Sequence, residues 1–422
     1  MESQIALLQR GGWGADQLVT LTSKDRRCHT YVIGKTGSGK STLLKNLLIQ
    51  EINNGSGVGL IDPHGDLAAD LLEHIGPERA SNVVYFNPAD AEHPCSLNVL
   101  HNGSTSDLVA SGVVSAFKNI WRASWGPRLE YVLYASVAAL ADCENVSLLA
   151  IPRLLSDEPY RRWVVRQVKD PMVRSFWAVE FESYDKKFKT EVISPIQNKI
   201  GQFLMSPAIR NILGQVKNSI DFREVLDRGQ IFIANLSKGH LGEEQSRLLG
   251  ALLVSQFQLA AMSRARVPHE SRRDFGLVID EFHNFVTESF CTILSESRKY
   301  GLHMTLSHQY TQQLQAEIRD AVFGNAGTFI CFRVGNADAE LLAKEIGDFS
   351  PSQLSSLASF EVAARVTIGG IQTEPFLGKS LPPLGERFGR SDSIVKRCRQ
   401  CFCRRREDVE DKILRWLASR DV

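Results

Sequence analysis

The sequence predicts an α/β fold in which a mostly parallel central sheet is flanked by helices and carries an inserted all-α domain. Short runs of β-branched and aromatic residues alternate with helical patterns, which is the rhythm of parallel strands joined by crossover helices. A glycine-rich loop at residues 34–42 separates the first of these runs from the first helix. After residue 100 the rhythm stops, and the pattern is helical from about residue 104 to residue 215. This break predicts the insertion.

The strands of the sheet are predicted from apolar runs that turn residues interrupt. They lie at residues 30–33, 58–61, 82–86, 229–236, 275–279, 303–307 and 328–334, with 364–368 as a last strand at the edge. Helices are predicted directly after the glycine-rich loop and over residues 243–263, where apolar residues recur at helical spacing. Residues 1–27 give only weak patterns.

Composition and charge narrow the class of protein. The chain has 422 residues, of which 43% are hydrophobic and 23% charged, which is ordinary for a soluble globular protein. A net charge of +1 does not fit a nucleic-acid coat or a polybasic membrane binder, so any contact with nucleic acid must come from local patches. Five of the eight cysteines are scattered singly and indicate reduced thiols. With no signal peptide and no apolar stretch long enough to span a bilayer, we expect a cytoplasmic protein without a transmembrane segment.

The glycine-rich loop has the spacing of a P-loop: a glycine, four free positions, then Gly-Lys-Ser. Its glycines let the backbone N–H groups point inward at a phosphate, and the following helix presents its positive dipole end there. Lys40 is expected to reach the β and γ phosphates, and the Ser41 hydroxyl to ligate Mg²⁺. The predicted ATP-binding residues are Gly34, Lys35, Thr36, Gly37, Ser38, Gly39, Lys40, Ser41 and Thr42. The alternative is a glycine-rich turn that binds nothing.

A second acidic motif follows the apolar run at 277–279. Asp280 and Glu281 close this run, as in a Walker B motif. Asp280 is expected to bind the Mg²⁺ shell, and Glu281 to orient and polarise the attacking water. Paired with the P-loop, this motif predicts nucleotide hydrolysis. No motif for reading guanine is visible, so ATP is favoured over GTP, and ATP and Mg²⁺ are the expected cofactors.

The motifs occur together in an order that resembles the HerA–FtsK superfamily of motor ATPases. They are Leu60-Ile61-Asp62-Pro63-His64-Gly65-Asp66, Asn87-Pro88-Ala89-Asp90, Glu92-His93-Pro94, Asn235-Leu236-Ser237-Lys238-Gly239, Asp280-Glu281-Phe282, Ser297-Arg298-Lys299-Tyr300-Gly301-Leu302 and Ser307-His308-Gln309. Within the superfamily, the chain looks most like cytosolic relatives of the type IV secretion, or conjugative, coupling proteins. The resemblance covers roughly residues 25–370 and implies a RecA-like P-loop NTPase core. The helical insertion lies where coupling proteins carry their all-α domain.

The resemblance also implies roles for residues outside the two motifs. Gln309 resembles the polar sensor that feels the γ phosphate, although a glutamine at a strand end also occurs simply solvated. Arg298 resembles the arginine finger that enters the neighbouring subunit's site, and a surface salt bridge is its alternative role. Arg333 is the second candidate for the finger. The predicted catalytic residues are therefore Glu281, Gln309, Arg298 and Lys40, and the predicted metal ligands are Ser41 and Asp280.

The predicted domain organisation follows from these motifs. We expect a nucleotide-binding domain in two parts, residues 1–103 and 219–375, with the all-α insertion over residues 104–218 between them. A basic tail with a short helix is expected over residues 376–422. The tail contains Cys398, Cys401 and Cys403, which leaves open a zinc site and a flexible segment that touches nucleic acid or an acidic partner.

The function that the resemblance implies is an ATP-driven, ring-forming DNA translocase of the coupling type. It implies DNA as a partner, with unknown strandedness, and a homo-oligomeric ring, a hexamer. A relaxase, secretion machinery or a nuclease are further partners it implies. The N-terminal transmembrane anchor of membrane coupling proteins is not visible in this sequence, which puts a channel-docked pump in doubt. Two alternatives stay open: an ATPase that powers a nuclease in repair or defence, and a nucleotide-switched assembly ATPase that moves no DNA.

Overall fold

The computed structural model describes residues 4–11, 17–101, 103–287 and 290–419. Residues 1–3 and 420–422, which the predicted domains include, lie outside the described residues. The strands are β1 Gln4–Arg10, β2 Gln17–Thr22, β3 Thr30–Ile33, β4 Gly57–Asp62, β5 Val83–Phe86, β6 Ile231–Asn235, β7 Phe275–Ile279, β8 Leu302–His308, β9 Thr328–Cys331, β10 Glu361–Arg365, β11 Thr367–Ile368, β12 Ile371–Gln372 and β13 Phe376–Ser380.

In the first and last thirds of the chain the helices alternate with strands. Between β5 and β6 the described residues form a series of helices with no strand of the sheet among them. The helices are α1 Ser23–Arg26, α2 Lys40–Asn53, α3 Asp66–Glu73, α4 Pro77–Ala80, α5 Ser106–Ile120, α6 Pro127–Ala141, α7 Ala150–Ser156, α8 Glu158–Gln167, α9 Pro171–Ser175, α10 Phe181–Ser183, α11 Lys186–Met205, α12 Pro207–Leu213, α13 Phe222–Arg228, α14 Lys238–Leu241, α15 Glu243–Met262, α16 Phe290–Glu296, α17 Ala316–Asn325, α18 Asn336–Ile346, α19 Pro351–Ser356, α20 Ser391–Phe402 and α21 Arg406–Ala418.

The main sheet has eleven strands among the described residues, in the order β2-β1-β13-β10-β9-β3-β8-β7-β4-β6-β5. Pairing is parallel from β9 through β3, β8, β7 and β4 to β6. On the other side of β9, pairing is antiparallel through β10, β13, β1 and β2. The α/β fold class with a mostly parallel sheet flanked by helices is therefore confirmed.

The antiparallel side of the sheet differs from the sequence-based prediction. β10 lies between β9 and β13, so the prediction that residues 364–368 form an edge strand was wrong. β1, β2 and β13 were not predicted. These strands lie among glycine and proline residues or show weak alternation, and only their pairing partners elsewhere in the chain make them regular.

The described residues group into two compact units. The first consists of Met1–Tyr85, Glu224–Asn235 and Arg264–Val395 and holds the glycine-rich loop and the strands of the parallel sheet. Its core is formed by strands that are buried along their whole length, such as β3, β4 and β7. This burial on both faces is what a parallel sheet covered by helices requires.

The second unit is helical and consists of Phe86–Arg223, Leu236–Ser263 and Lys396–Val422. It contains the predicted all-α region, and it also takes in α15 and the C-terminal helix α21. α15 lies so close to α5 that a side chain at Gly112 would collide with Ser255, which explains why α15 groups with the insertion. The boundaries at 103/104, 218/219 and 375/376 stay predictions.

The C-terminal segment is helical, whereas the sequence suggested a flexible tail before one short helix. α20 and α21 are both regular, and α21 buries Val409 and Ile413 against Leu149. The segment is ordered because apolar residues at helical spacing give α21 one buried face, despite its high content of charge.

One helix among the described residues, Glu243–Arg266, is long and apolar enough to cross a membrane by length and composition alone. Burial inside the protein covers 78% of its apolar window, as in the core helix of a folded domain.

Candidate active site

The candidate active site lies at the edge of the sheet where β3, β7 and β8 end. Ile33 of β3 pairs with His308 of β8, and Ile279 of β7 pairs with Leu306 of β8. Because these strands are parallel, the residues that follow them emerge at one edge. The glycine-rich loop, the acidic pair and Gln309 are therefore brought to the same place by register alone.

Three glycines of the loop are required: Gly37 by its conformation, Gly34 by lack of space, and Gly39 by both. Gly37 and Gly39 have φ values of +75° and +119°, which side chains rarely adopt. A Cβ at Gly34 would lie 2.5 Å from the Cβ of Phe332, and one at Gly39 would lie 2.8 Å from the ring of Phe360. The two phenylalanines close the back of the loop, and the P-loop pattern alone gives no signal of them.

Lys40 is the first residue of α2 and is folded back onto the loop. Its Nζ donates hydrogen bonds to the carbonyl oxygens of Gly34, at 2.5 Å, and Lys35, at 3.3 Å. Burial lowers the pKa of Lys40, while the carboxylates of Glu281 and Asp280 oppose that shift. The ammonium is held inside the loop, close to two carboxylates. It is in position to exchange its hydrogen bonds to carbonyl oxygens for hydrogen bonds to phosphate oxygens.

Asp280 ends β7 as a buried carboxylic acid, with 6% of the residue exposed. Burial raises the pKa of Asp280 to about 6, and the neighbouring charges of Glu281 and Asp62 raise it further. Its Oδ1 accepts the amide N–H of Glu281 at 3.0 Å. A desolvated acid crowded by two other acids is the arrangement that a bound divalent cation relieves.

Asp62, at the end of β4, has a structural task. Its Oδ1 accepts the amide of His64 and its Oδ2 accepts the amide of Ala68, both at 2.9 Å. The side chain thereby forms the turn after β4 and satisfies an N–H at the start of α3.

Glu281 is the most constrained residue of the site. Its backbone is left-handed, with φ 45° and ψ 47°, although it is not glycine. Such a conformation costs free energy of order 1–3 kcal/mol and persists only where the surroundings impose it. Gln309 Nε2 donates to Glu281 Oε1 at 2.9 Å, and Asn284 Nδ2 donates to the Glu281 carbonyl at 2.8 Å. With this left-handed backbone, the Glu281 carboxylate points toward Gln309 and not along the strand.

His283 is a site residue that sequence reasoning missed. Its Nδ1 lies 3.4 Å from Oε2 of Glu281, and its Nε2 lies 3.2 Å from Nε2 of Gln313. Because the Gln313 amide nitrogen donates, the ring Nε2 is assigned as the acceptor and Nδ1 as the protonated nitrogen. The imidazole therefore turns an N–H toward the carboxylate. In the sequence, a histidine two positions after Glu281 gives little indication by itself that it belongs to the site.

The two arginine candidates lie at opposite ends of the strands. Arg298 is in a short 3-10 turn, Ser297–Tyr300, just before β8 begins, rather than on a longer helix. Burial lowers the pKa of His29, which precedes β3, and the charge of Arg298 lowers it further. Arg298 is therefore at the amino ends of the strands, away from its own glycine-rich loop. Among residues 4–11, 17–101, 103–287 and 290–419, no carboxylate forms an ion pair with it.

Arg333 follows β9 and lies beside its own loop, since its carbonyl oxygen accepts the amide of Lys35 at 2.9 Å. The structure thus places Arg333 beside its own loop and Arg298 at the amino ends of the strands, away from that loop.

The three cysteines of the C-terminal segment do not form a metal centre. Cys403 is disulfide-bonded to Cys95, 308 positions away in sequence, while Cys398 and Cys401 form no disulfide. In the part of the chain that the structure describes, no group of three or more histidine, cysteine or acidic side chains could hold a metal ion. The zinc alternative is not supported, and the expectation that Cys95 is a reduced thiol was wrong.

Comparison with known proteins gives a consistent family signal. Residues 17–360 match the sequence profile described as the type IV secretion-system coupling protein DNA-binding domain. The chain is 20% identical over 389 residues to the type 4 coupling protein DotL of Legionella pneumophila subsp. pneumophila, covering 74% of this chain and 48% of DotL. It thus spans about half the length of that curated relative.

Solved structures of similar fold cover nearly the whole chain. The unbound conjugative coupling protein TrwB has a TM-score of 0.60 at 15% identity, covering 90% of each chain. TrwB in complex with ADP and Mg²⁺ has the same score and identity, covering 93% of this chain and 98% of TrwB. VirB4 of Thermoanaerobacter pseudethanolicus also scores 0.60 at 15% identity, covering 90% of this chain and 96% of VirB4.

Proposed function

The chain belongs to the family of type IV secretion-system coupling proteins, and from that premise we propose that it is an ATP-driven, ring-forming DNA translocase. The observation that carries the proposal is the Glu281 carboxylate, held by Gln309 at the edge of the sheet where the glycine-rich loop opens. A P-loop, a buried acidic pair and a polar sensor at one edge are the parts that phosphoryl transfer to water requires.

The proposed site divides the work of ATP hydrolysis among the loop amides and five side chains. The loop amides of residues 34–42 and Lys40 would bind the phosphates, and Ser41 and Asp280 would hold Mg²⁺. Bound Mg²⁺ would neutralise charge on the phosphate oxygens, and the raised pKa of Asp280 fits a cation site. Glu281 accepts a proton from the attacking water, while Gln309 orients both the carboxylate and the water. The left-handed backbone of Glu281 keeps its carboxylate at this place before ATP arrives.

The position of Arg298 supports completion of the site by a neighbouring subunit. Its guanidinium lies at the amino ends of the strands and has no ion-pair partner among the described residues. An arginine that stays charged and binds two oxygens is suited to the transition state of a second subunit's ATP. We therefore assign Arg298 as the finger supplied in trans and the assembly as a homo-oligomeric ring, a hexamer by analogy with the superfamily.

DNA is the proposed cargo because the matched family profile describes a DNA-binding domain. With a net charge of +1, the chain has no global positive field, so its contacts with DNA must come from local positively charged patches. We place the motor in the cytoplasm, where ATP and DNA are both available. A relaxase or secretion machinery is its proposed partner.

The test is steady-state ATP hydrolysis with and without single- and double-stranded DNA, for the wild type and for Glu281→Gln. We expect several-fold stimulation by one form of DNA, and loss of turnover in the variant with ATP binding retained. Hydrolysis that neither DNA form changes would instead favour a nucleotide-switched assembly ATPase. Turnover that survives Glu281→Gln would refute the assignment of the site.

A further inference from the structure

The helical unit contains a cleft of about 460 Å³ that is separate from the hydrolysis site. One side is formed by residues 145–149 and 214–217, and the other by α21 and the residues just before it. Leu149, Val409 and Ile413 form its buried apolar floor, and Trp416 packs against them. A cavity of this size with an apolar floor is within the range of ligand pockets in proteins.

The first side of the cleft is held rigidly by hydrogen bonds. The buried Asn98 uses its Nδ2 to donate to the carbonyls of Val146 and Val216, both at 2.8 Å. Ser147 Oγ donates to the carbonyl of Gly214 at 3.1 Å. These bonds join the two strips of chain, so this side is a built feature rather than a gap between loose segments.

The second side is fastened where α21 begins. The amide of Arg404 donates to the carbonyl of Pro94 at 3.2 Å, and the disulfide joins Cys403 to Cys95 in the same place. Arg399 Nε lies 2.6 Å from Oδ2 of Asp90. Both sides of the cleft are thus fixed to the same stretch of chain, residues 94–98.

Three cations line the cleft, and no acidic residue does. They are Lys217, Arg404 and Lys412, all exposed. Among the described residues none of them forms an ion pair. Two acidic side chains of α21 are engaged elsewhere, since Glu410 accepts from Arg406 at 2.9 Å and from Asn211 at 3.1 Å, and Asp411 pairs with Arg415. Asp408 is exposed and does not line the cleft.

From this juxtaposition we propose that the cleft is a docking site for an acidic peptide segment of a partner protein, anchored by a bulky apolar side chain. The anchor would enter the floor beside Trp416, and carboxylates on either side of it would meet Lys217, Arg404 and Lys412. This function goes beyond ATP-driven movement of DNA, because it is a second binding site with its own ligand chemistry.

A peptide fits these observations better than a nucleotide does. The floor is mainly aliphatic, and the Trp416 ring already has the guanidinium of Arg153 over it, 5.7 Å from its centroid. The three cations come from two separate segments of chain, with Lys217 on one side of the cleft and Arg404 and Lys412 on the other, which suits carboxylates spaced along a peptide rather than one compact phosphate group.

The test uses the full chain and a fluorescein-labelled synthetic peptide with glutamates on both sides of a leucine–phenylalanine pair. Fluorescence polarisation, without ATP, measures its binding, and a peptide with glutamines in place of the glutamates is the matched probe. We expect binding of the acidic probe that weakens by roughly tenfold or more in the Lys217→Glu/Lys412→Glu variant, because two attractions become repulsions. Lys187→Glu, an exposed lysine on α11, is the control variant and should bind normally.

Two further measurements keep the result interpretable. ATP hydrolysis by Lys217→Glu/Lys412→Glu should equal that of the wild type, so a failure of the docking site is distinguishable from a failure of the proposed motor. Trp416→Ala should weaken binding of both probes, since it removes part of the floor. Equal binding of the glutamate and glutamine probes, or binding unchanged by the double charge reversal, would overturn the proposal. Displacement of the probe by ADP that persists in Lys40→Ala would also overturn it, in favour of a nucleotide site.

Discussion

The side-chain amide of Gln309 donates a hydrogen bond of 2.9 Å to Oε1 of Glu281. Glu281 follows β7 and Gln309 follows β8, so the bond joins the ends of two neighbouring strands. An amide both donates and accepts, so the same side chain can hold the carboxylate and the water that the carboxylate activates. The direction of the Glu281 carboxylate therefore depends on Gln309.

Gln309→Ala should lower kcat by up to about 10²-fold while changing KM little, because a misdirected base loses the near-attack geometry without losing contacts to ATP. Steady-state hydrolysis over a range of ATP concentrations measures both constants. Gln312→Ala is the matched control, because Gln312 is an exposed glutamine three positions away, and it should behave like the wild type. A rise in KM alone in Gln309→Ala would show that Gln309 binds ATP and does not position Glu281.

Lys40→Ala should abolish nucleotide binding, while Lys35→Ala in the same loop should change affinity by less than about threefold. Lys40 is buried and its Nζ already bonds loop carbonyls, so its ammonium lies at the place where phosphates bind. Lys35 is exposed, and the P-loop uses its backbone rather than its side chain. Titration with a fluorescent ADP analogue measures both variants. Similar losses in the two variants would mean that general positive charge, not the placement of Lys40, binds the nucleotide.

Arg298→Ala should lower kcat by about 10³-fold or more, the size of effect typical for an arginine finger. Mixing it with Lys40→Ala at constant total protein should restore part of the activity. In such a ring an intact P-loop of one subunit meets an intact Arg298 of its neighbour. Hydrolysis rates across a series of mixing ratios measure the rescue.

Arg333→Ala provides the comparison for this experiment. Arg333 lies beside its own loop, so mixing Arg333→Ala with Lys40→Ala should give no rescue beyond the average of the two proteins. Rescue of Arg333→Ala and none of Arg298→Ala would exchange the roles of the two arginines.

Residues that follow buried strands were predictable, because apolar runs give the strand ends and parallel strands share one edge. Phe275–Ile279 was predicted with its observed bounds, and the acids after it lie where the Walker B motif places them. The position of Gln309 next to Glu281 follows from the same logic. These predictions depend on patterns that lie within short continuous stretches of the sequence.

Features that depend on distant partners were not predictable. His283 lies next to Glu281 at the strained turn of residue 281, and Phe360 reaches Gly39 from the turn before β10, far along the chain. The pairing of Cys95 with Cys403 joins residues 308 positions apart, which no spacing rule anticipates. The antiparallel strands β1 and β13 likewise become regular through pairing with each other and with β2 and β10.

The free energy of unfolding should fall as pH decreases below about 6.5, because buried histidines are held neutral. His29 Nε2 lies 3.0 Å from the carbonyl oxygen of Leu294, and His29 Nδ1 accepts the amide of Met304 at 2.9 Å. Burial lowers the pKa of His29 to about 4 and that of His303 to about 3. The unfolded chain takes up these protons near pH 6.5 and the folded protein does not. Stability is therefore full above that pH and is lost below it, by up to about 1.4 kcal/mol per pH unit for each histidine.

The contribution of His29 is isolated by comparing variants rather than by the wild type alone. Asp280 works in the opposite direction, because its pKa is raised to about 6 and the folded protein gains a proton there as pH falls. Urea unfolding at about pH 7 and about pH 5 should show a smaller loss in His29→Gln than in the wild type, by roughly 2 kcal/mol. His64→Gln, which changes an exposed histidine, should match the wild type. Equal losses in all three proteins would mean that His29 is protonated in the folded state, and that its proton does not disrupt the bond from Met304.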